Sequence, residues 1–194
     1  TQMFYVMPGI QLVLRDVTVQ NGRSIDGGAI KIDGGRMVAL NVNFRNNESV
    51  RPDPSSLSGN GGAIYNAGGR LEIAGGSFRS NRAALWGGAI FTTGGSVTLN
   101  GANFLGNRVN DGGNDGGAIA SGNGTLGGLP GSEIEMVNAR FGLNWTPLSG
   151  GAIYSSNGGT LEINATNFVW SLANVGGAIS APASATATER ISIG

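Results

Sequence analysis

Two acidic residues, Glu135 and Glu162, come nearest to catalytic chemistry in this sequence. They occupy equivalent positions in adjacent copies of a repeat, so stacked copies would place their carboxylates about 5 Å apart. A pair that close shares a proton or binds a cation, and with a further base such a pair can cleave polysaccharides. We interpret the pair instead as two side chains splayed into water. We therefore predict no catalytic residue and no enzyme, with a polysaccharide lyase or hydrolase as one alternative function.

A second group of oxygen-bearing side chains lies in the segment NDGGNDGG, residues 110–117. Asp111 and Asp115 there could hold calcium through oxygen ligands. Asn and Asp are also ordinary turn residues, and the spacing is not that of a known calcium loop. The glycines do not indicate a phosphate cradle, because no Lys-Ser pair follows them. We predict no cofactor, with calcium at these two aspartates as the open alternative.

The composition excludes several classes of protein. The 194 residues include 12 basic and 12 acidic side chains, no cysteine and no histidine, and 40% of the residues are apolar. A neutral chain lacks the basic surface of a nucleic-acid-binding protein, so we expect no nucleic-acid partner. No apolar run approaches the roughly 18 residues of a membrane span, so we expect no membrane insertion. The apolar fraction favours a folded chain over a disordered one.

The elements that must position these side chains are repeats. The tetrapeptide GGAI occurs six times, starting at residues 27, 61, 87, 116, 150 and 176. Self-similarity at a spacing of 26 to 34 residues is typical of a solenoid. Each copy contains a GAIYN-like strand, a Gly-Gly turn, an alternating strand such as Leu71-Glu72-Ile73, and a third strand around a phenylalanine.

This unit predicts an all-β fold, a right-handed parallel β-helix of about seven coils with three strands per coil. We expect a single domain, 1–194, with coils starting near residues 1, 27, 61, 87, 116, 150 and 176. Equivalent residues of successive coils should then form columns. The predicted columns are isoleucines Ile30, Ile64, Ile90, Ile119, Ile153 and Ile179; phenylalanines Phe44, Phe78, Phe104, Phe141 and Phe168; and asparagines Asn47, Asn81, Asn107 and Asn144. The asparagine side chains can hydrogen-bond along the axis, and Ser171 breaks their pattern.

Aromatic residues at outward positions of the first strand are candidates for binding. Tyr65, Phe91 and Tyr154 are predicted to point away from the core, as a possible face for a glycan or a partner protein, or as a ladder that stiffens the sheet. The three tryptophans, Trp86, Trp145 and Trp170, lie near the predicted corners. We expect all three to pack beneath corner loops.

The combination of GGAI with FxxN resembles the repeat of the polymorphic outer membrane proteins. The FxxN motifs are FRNN (44–47), FRSN (78–81), FLGN (104–107) and FGLN (141–144). The chain is also similar to secreted bacterial right-handed β-helix repeat proteins, which include autotransporter passengers, adhesins and surface stalks. The resemblance implies an extracellular or cell-surface protein. It also implies glycans or host or cell-surface proteins as possible partners.

The ends of the predicted stack lack the polar caps that solenoids normally carry. Two explanations are open. One subunit can stack head to tail on the next and form a filament, which makes the protein its own partner through the terminal coils. Alternatively, the chain is a fragment of an adhesin or of an autotransporter-like passenger stalk. We favour a structural, filament-forming protein on the sequence.

Overall fold

A computed structural model of the chain describes residues 1–110, 116–122, 131–182 and 190–193. These residues form 24 short β-strands and no helix. In chain order the strands are Phe4–Val6 (β1), Gln11–Arg15 (β2), Thr18–Gln20 (β3), Arg23–Ser24 (β4), Ile30–Asp33 (β5), Arg36–Leu40 (β6), Asn43–Arg45 (β7), Glu48–Ser49 (β8), Ile64–Ala67 (β9), Arg70–Ala74 (β10), Ser77–Arg79 (β11), Arg82–Ala83 (β12), Ile90–Thr93 (β13), Ser96–Asn100 (β14), Asn103–Leu105 (β15), Arg108–Val109 (β16), Ile119–Ser121 (β17), Glu133–Val137 (β18), Arg140–Gly142 (β19), Ile153–Ser155 (β20), Thr160–Asn164 (β21), Asn167–Val169 (β22), Ile179–Ser180 (β23) and Arg190–Ile193 (β24).

The strands pair across coils and not along the chain. The first sheet has the order β1-β5-β9-β13-β17-β20-β23, and the second has the order β2-β6-β10-β14-β18-β21-β24. The third sheet contains β3, β7, β11, β15, β19 and β22 in sequence along the axis. All pairs are parallel and in register; Leu71, for example, lies opposite Met37 on one side and Val97 on the other. The predicted parallel β-helix is confirmed.

A fourth sheet was not predicted from the sequence. It contains the two-residue strands β4, β8, β12 and β16, which directly follow the asparagine position of their coils. Backbone hydrogen bonds hold it together; Arg82 N donates to Asn47 O at 2.9 Å, and Arg108 N donates to Asn81 O at 3.0 Å. Its first residue is Arg in β4, β12 and β16 and Glu in β8, and Glu48 forms ion pairs with Arg23 and Arg82 of the neighbouring coils. The described part of the chain therefore has four strands, not three, in each of its first four coils.

The two glycines of GGAI have different physical roles, as Gly61 and Gly62 show. Gly61 has a φ of 62°, and a side chain there would overlap the carbonyl oxygen of Ile64 in the same tight turn. Gly62 has no positive φ, but a side chain there would overlap the carbonyl oxygen of Gly88 in the next coil. The first glycine therefore permits the turn, and the second permits the close approach of neighbouring coils.

The core is filled by columns of equal side chains. The isoleucines at positions 30, 64, 90, 119 and 153 are fully buried and lie opposite one another across the first sheet, with Ile179 partly buried at the end. The phenylalanine column is stacked, with ring centroids of neighbouring phenylalanines 4.6 to 5.0 Å apart and ring planes within 10° of parallel. Four of its rings are buried, and Phe168 is partly buried. The ring spacing matches the roughly 4.8 Å rise of stacked strands.

Candidate functional site

The four asparagines at the end of the third sheet form a continuous hydrogen-bonded asparagine ladder. The side-chain Nδ2 of Asn47 donates to Oδ1 of Asn81, Asn81 donates to Asn107, and Asn107 donates to Asn144, each at 3.0 Å. All four residues are fully buried.

Each ladder amide also binds the backbone of its neighbours. In Asn81, Nδ2 donates a second bond to the carbonyl of Phe44 at 3.1 Å, and Oδ1 accepts the backbone N–H of Asn47 at 3.1 Å. Both amide hydrogens and two lone pairs of Asn81 are therefore used. Because a buried polar group without a partner is destabilising, the ladder fixes both the spacing and the register of the coils.

The ladder ends at Asn144, where the next coil has Ser171. Asn144 donates from Nδ2 to the carbonyl of Phe104 at 3.1 Å, as its equivalents do. The acceptor that an asparagine at 171 would offer is missing, and the hydroxyl oxygen of Ser171 is itself buried without a hydrogen-bond partner in the described chain. The step from the coil of Asn144 to the coil of Ser171 therefore lacks the axial side-chain hydrogen bond of the preceding steps.

The acidic pair predicted from the sequence lies where expected, but it does not gather further chemistry. Glu135 and Glu162 are directly opposite on β18 and β21, and both are exposed. Oε1 of Glu162 accepts a hydrogen bond from Nδ2 of Asn164 at 3.2 Å. Neither glutamate has an ion pair with an arginine or lysine of the described chain. The described residues contain no group of three or more acidic residues that could hold a metal ion.

The other predicted metal ligands, Asp111 and Asp115, lie outside the described residues. The structure therefore gives no geometry for calcium at these two positions, which remain a prediction from the sequence.

The prediction that Tyr65, Phe91 and Tyr154 form an exposed face is wrong for two of the three. Phe91 is 0% exposed and Tyr154 is 5% exposed. Both belong to a second apolar cluster with Leu85 and Trp86, in which the rings of Trp86 and Phe91 are 5.6 Å apart. The corner segment that carries Leu85 and Trp86 therefore covers the outer side of the first sheet.

Tyr65 alone keeps part of its surface in solvent. Its ring stacks on Phe91 at a centroid distance of 5.4 Å, and Lys31 Nζ lies 5.4 Å from the centre of the Tyr65 ring. Burial, assisted by the nearby charge of Asp26, raises the pKa of the Tyr65 hydroxyl. The stacking interpretation of this face therefore describes the arrangement better than an open binding face.

The prediction that all three tryptophans pack beneath loops holds for Trp86, which is buried, and is wrong for Trp145 and Trp170. Trp170 is 78% exposed, because it occupies the corner position between the third-strand valine and Ser171 and points outward. This corner position has a positive φ of 51° to 63° in every coil where it is described. Its occupants are Asn21, Asn46, Ser80, Gly106, Leu143 and Trp170.

Leu143 and Trp170 are unusual at this corner position. Asn and Gly tolerate the left-handed region, whereas a bulky side chain there costs about 1–2 kcal/mol. Leu143 is also 55% exposed, so neither residue recovers that free energy by burial in the core. Sequence reasoning missed this pair, although the change from Asn, Ser and Gly to Leu and Trp at one repeat position was visible.

An ion-pair cluster on the second sheet was also missed. Both carboxylate oxygens of Glu72 accept from Arg36, Nε at 2.8 Å and Nη2 at 3.1 Å, and Arg70 Nε lies 2.7 Å from Oε1. The hydrogen bond from Arg36 is the main cause that lowers the pKa of Glu72, and Arg70 adds to it. The sequence signal was Glu72 two positions after Arg70 on the same strand, with Arg36 at the repeat position equivalent to Arg70 in the preceding coil.

The fold and these columns define the class of protein: a parallel β-solenoid assembled from GGAI–FxxN coils. Residues 41–67 and 75–93 match the Chlamydia polymorphic membrane protein repeat. Each matched segment contains one FxxN motif followed by one GGAI motif, and together the segments make up about a quarter of the chain. The resemblance predicted from the motifs is confirmed, and the chain is a repeat protein similar to the polymorphic membrane proteins.

The remaining comparisons add no relative. No curated protein and no solved structure matches the chain. Across the residues that the structure describes, there is no helix of the length and apolarity required to cross a membrane.

Proposed function

We propose that this protein is a non-enzymatic structural β-solenoid of the cell surface, and that its coils stack head to tail into a filament. The surface location is supported by the similarity of residues 41–67 and 75–93 to the repeat of a membrane protein family. The structural role is supported by the location of most buried apolar side chains, which lie in axial columns and do not line a cleft.

The observation that carries the proposal is the parallel, in-register pairing of each coil with the next in the first two sheets. The outermost described strands have a partner on one side only: β2 pairs with β6, and β24 pairs with β21. Leu12 and Leu14 of β2, and Phe168 of β22 (the last strand of the third sheet), are only partly buried. A strand edge and a partly exposed column together form a template for another coil of the same kind.

A surface stalk is the second candidate, and the same similarity supports it. In a stalk, the coil that continues the stack belongs to the same chain, as in an adhesin or an autotransporter-like passenger. The purified chain would then remain monomeric in solution, whereas the filament proposal requires concentration-dependent association.

Electron microscopy and analytical ultracentrifugation of the purified chain test the filament directly. We expect unbranched fibres with an axial repeat of about 30–35 Å, because seven coils rise about 4.8 Å each. Monodisperse monomers over a wide concentration range would refute the filament and favour the stalk.

A proline at the free edge of β2 makes the test specific. Asp16 N donates to Leu40 O, and Arg36 N donates to Ile10 O. The backbone N–H and C=O groups of the even-numbered residues from 10 to 16 therefore point toward β6. The backbone N–H of Val13 therefore faces the free edge, and Val13→Pro removes it without breaking a bond to β6. We expect Val13→Pro to remain folded and to lose fibres. The matched control Val13→Thr keeps the N–H and should keep the fibres.

A further inference from the structure

The outer side of the third sheet contains a notch at Gly142. Along the axis, the outward column runs from Arg45 through Arg79, Leu105 and Gly142 to Val169. Gly142 has no positive φ, and the atom nearest to a Cβ there would be the flexible end of Leu105 at 3.3 Å, with the carbonyl oxygen of Val169 at an ordinary contact distance of 3.8 Å. The backbone and the coil packing therefore do not require glycine at this position, in contrast to Gly61 and Gly62. Gly142 therefore leaves a gap of one side chain in this outward column.

The gap opens into a cavity of about 330 Å³ whose lining includes both apolar and cationic side chains. The apolar part of the lining includes Leu105, Leu143, Val169 and Trp170. Leu143 and Trp170 are the two residues that occupy the left-handed corner position with bulky side chains. The notch therefore lies where the chain places large apolar groups that its fold does not need.

The cationic part of the lining is formed by Arg79 and Arg140, and Asn103, which is in register with Arg140, also lines the cavity. Both arginines are exposed, and neither has an ion pair with any residue in the described ranges. No acidic residue lines the cavity. Two guanidinium groups without a carboxylate, beside an exposed indole, form a site that is complementary to an anion attached to an apolar ring face.

We propose that this notch binds a sugar ring that carries a carboxylate, such as a uronic acid residue of a glycan. The indole of Trp170 packs against the C–H face of the ring, a guanidinium of Arg79 or Arg140 binds the carboxylate, and the amide oxygen of Asn103 accepts from a hydroxyl group, while its Nδ2 donates to the carbonyl of Gly76. The volume lies within the range of small-ligand sites. This binding function is independent of filament formation.

The position of the notch favours a sugar over an acidic peptide. An extended peptide binds best to a free sheet edge, where its backbone can pair. Gly142 lies on β19, which is paired with β15 on one side and β22 on the other. No free backbone edge is present at this position, and the single gap accommodates one ring and not a series of side chains.

Binding is measured by titrating the purified chain with methyl β-D-glucuronide and following the tryptophan indole N–H signals by NMR. Methyl β-D-glucoside, which has the same ring without the carboxylate, is the matched neutral probe. We expect the glucuronide to bind at least about tenfold more tightly than the glucoside, and to shift the signal that is lost in Trp170→Asn.

Three variants and one control assign the site. Trp170→Asn removes the indole and introduces the residue that Asn46 already shows to suit this corner. Gly142→Val fills the notch, and Arg79→Gln combined with Arg140→Gln removes the cations. The first two should weaken glucuronide binding at least about tenfold, and the double arginine variant should abolish the preference for the glucuronide. Arg45→Gln, in the same column but outside the cavity, should bind like wild type, and circular dichroism should show all variants folded.

Several results would overturn the proposal. Absence of any glucuronide binding up to the solubility limit of the probe rejects the site. Equal binding of glucoside rejects recognition of the carboxylate. A short polyglutamate peptide that binds more tightly than the glucuronide, with the same dependence on Trp170, assigns the notch to acidic peptides. An equal loss in Arg45→Gln attributes the binding to general surface charge.

Discussion

Replacement of Asn81 by alanine tests whether the asparagine ladder holds the coils together. The substitution removes four hydrogen bonds: two donated by Asn81 Nδ2, to Phe44 O and Asn107 Oδ1, and two accepted by Asn81 Oδ1 from Asn47. It leaves the backbone N–H and one side-chain amide hydrogen of Asn47 without an acceptor, and it removes one donor from the carbonyl oxygen of Phe44. These groups are fully buried, so water cannot replace the lost bonds.

The expected magnitude follows from these lost partners. Each buried group left unsatisfied costs about 1–3 kcal/mol, so the two donors alone predict a loss of about 2–6 kcal/mol in the free energy of unfolding. Asn81→Asp is nearly the same size and creates no cavity, yet it places a carboxylate oxygen against the Phe44 and Asn107 oxygens. We therefore expect Asn81→Asp to be destabilised as well, which separates the loss of hydrogen bonds from the loss of packing.

Urea unfolding followed by circular dichroism measures the effect as a lower midpoint at similar slope. Asn100→Ala is the matched control, because Asn100 is exposed at the end of β14 and its side chain makes no hydrogen bond in the described chain. Its midpoint should shift by no more than the equivalent of about 0.5 kcal/mol. If Asn81→Ala and Asn100→Ala unfold at the same urea concentration, the ladder does not stabilise the stack and the reasoning is wrong.

Three further predictions concern the columns and the surface. Phe104→Ala should lower the unfolding free energy by about 3–5 kcal/mol, because its buried ring stacks on Phe78 and Phe141; the exposed neighbour Leu105→Ala should lose far less, and equal urea midpoints would contradict the column. Ser171→Asn should extend the ladder beyond Asn144 and raise the unfolding free energy by about 1–3 kcal/mol. The control Ser171→Ala adds no amide and should not raise the unfolding free energy. A melting temperature of Ser171→Asn at or below that of wild type would disprove the extension. Glu72→Gln should destabilise the protein at neutral pH, because the folded pKa of Glu72 is lowered, chiefly by the hydrogen bond from Arg36. This stabilisation is present above the unfolded pKa of Glu72 and is lost as the pH falls through the folded pKa, so the melting temperatures of wild type and variant should converge on acidification. A difference in melting temperature that stays constant across the pH range would count against the ion pair.

The periodic part of the structure was readable from the sequence because stacked parallel coils bring equal repeat positions together. The isoleucine of GGAI and the phenylalanine and asparagine of FxxN occur at equal spacings, and a one-residue slip would turn each inward side chain to solvent. The ladder ends where Ser171 replaces asparagine, as the sequence pattern indicated. Local periodicity and tight-turn glycines therefore determined the fold class, the core columns and their limits.

Tertiary structure alone decided what covers the outward positions. Alternation correctly turns Phe91 and Tyr154 away from the central core, but it contains no information on the corner segment that buries them under Leu85 and Trp86. The strands of the fourth sheet have only two residues each, too few for an alternating pattern to indicate them, and backbone bonds between coils pair them. The notch exists because Gly142 has no side chain, whereas its neighbours along the axis, Leu105 and Val169, do. Those neighbours belong to other coils, so only the pairing of the coils reveals the gap. A side chain's direction is a local property of its strand, whereas its exposure depends on segments distant in the chain.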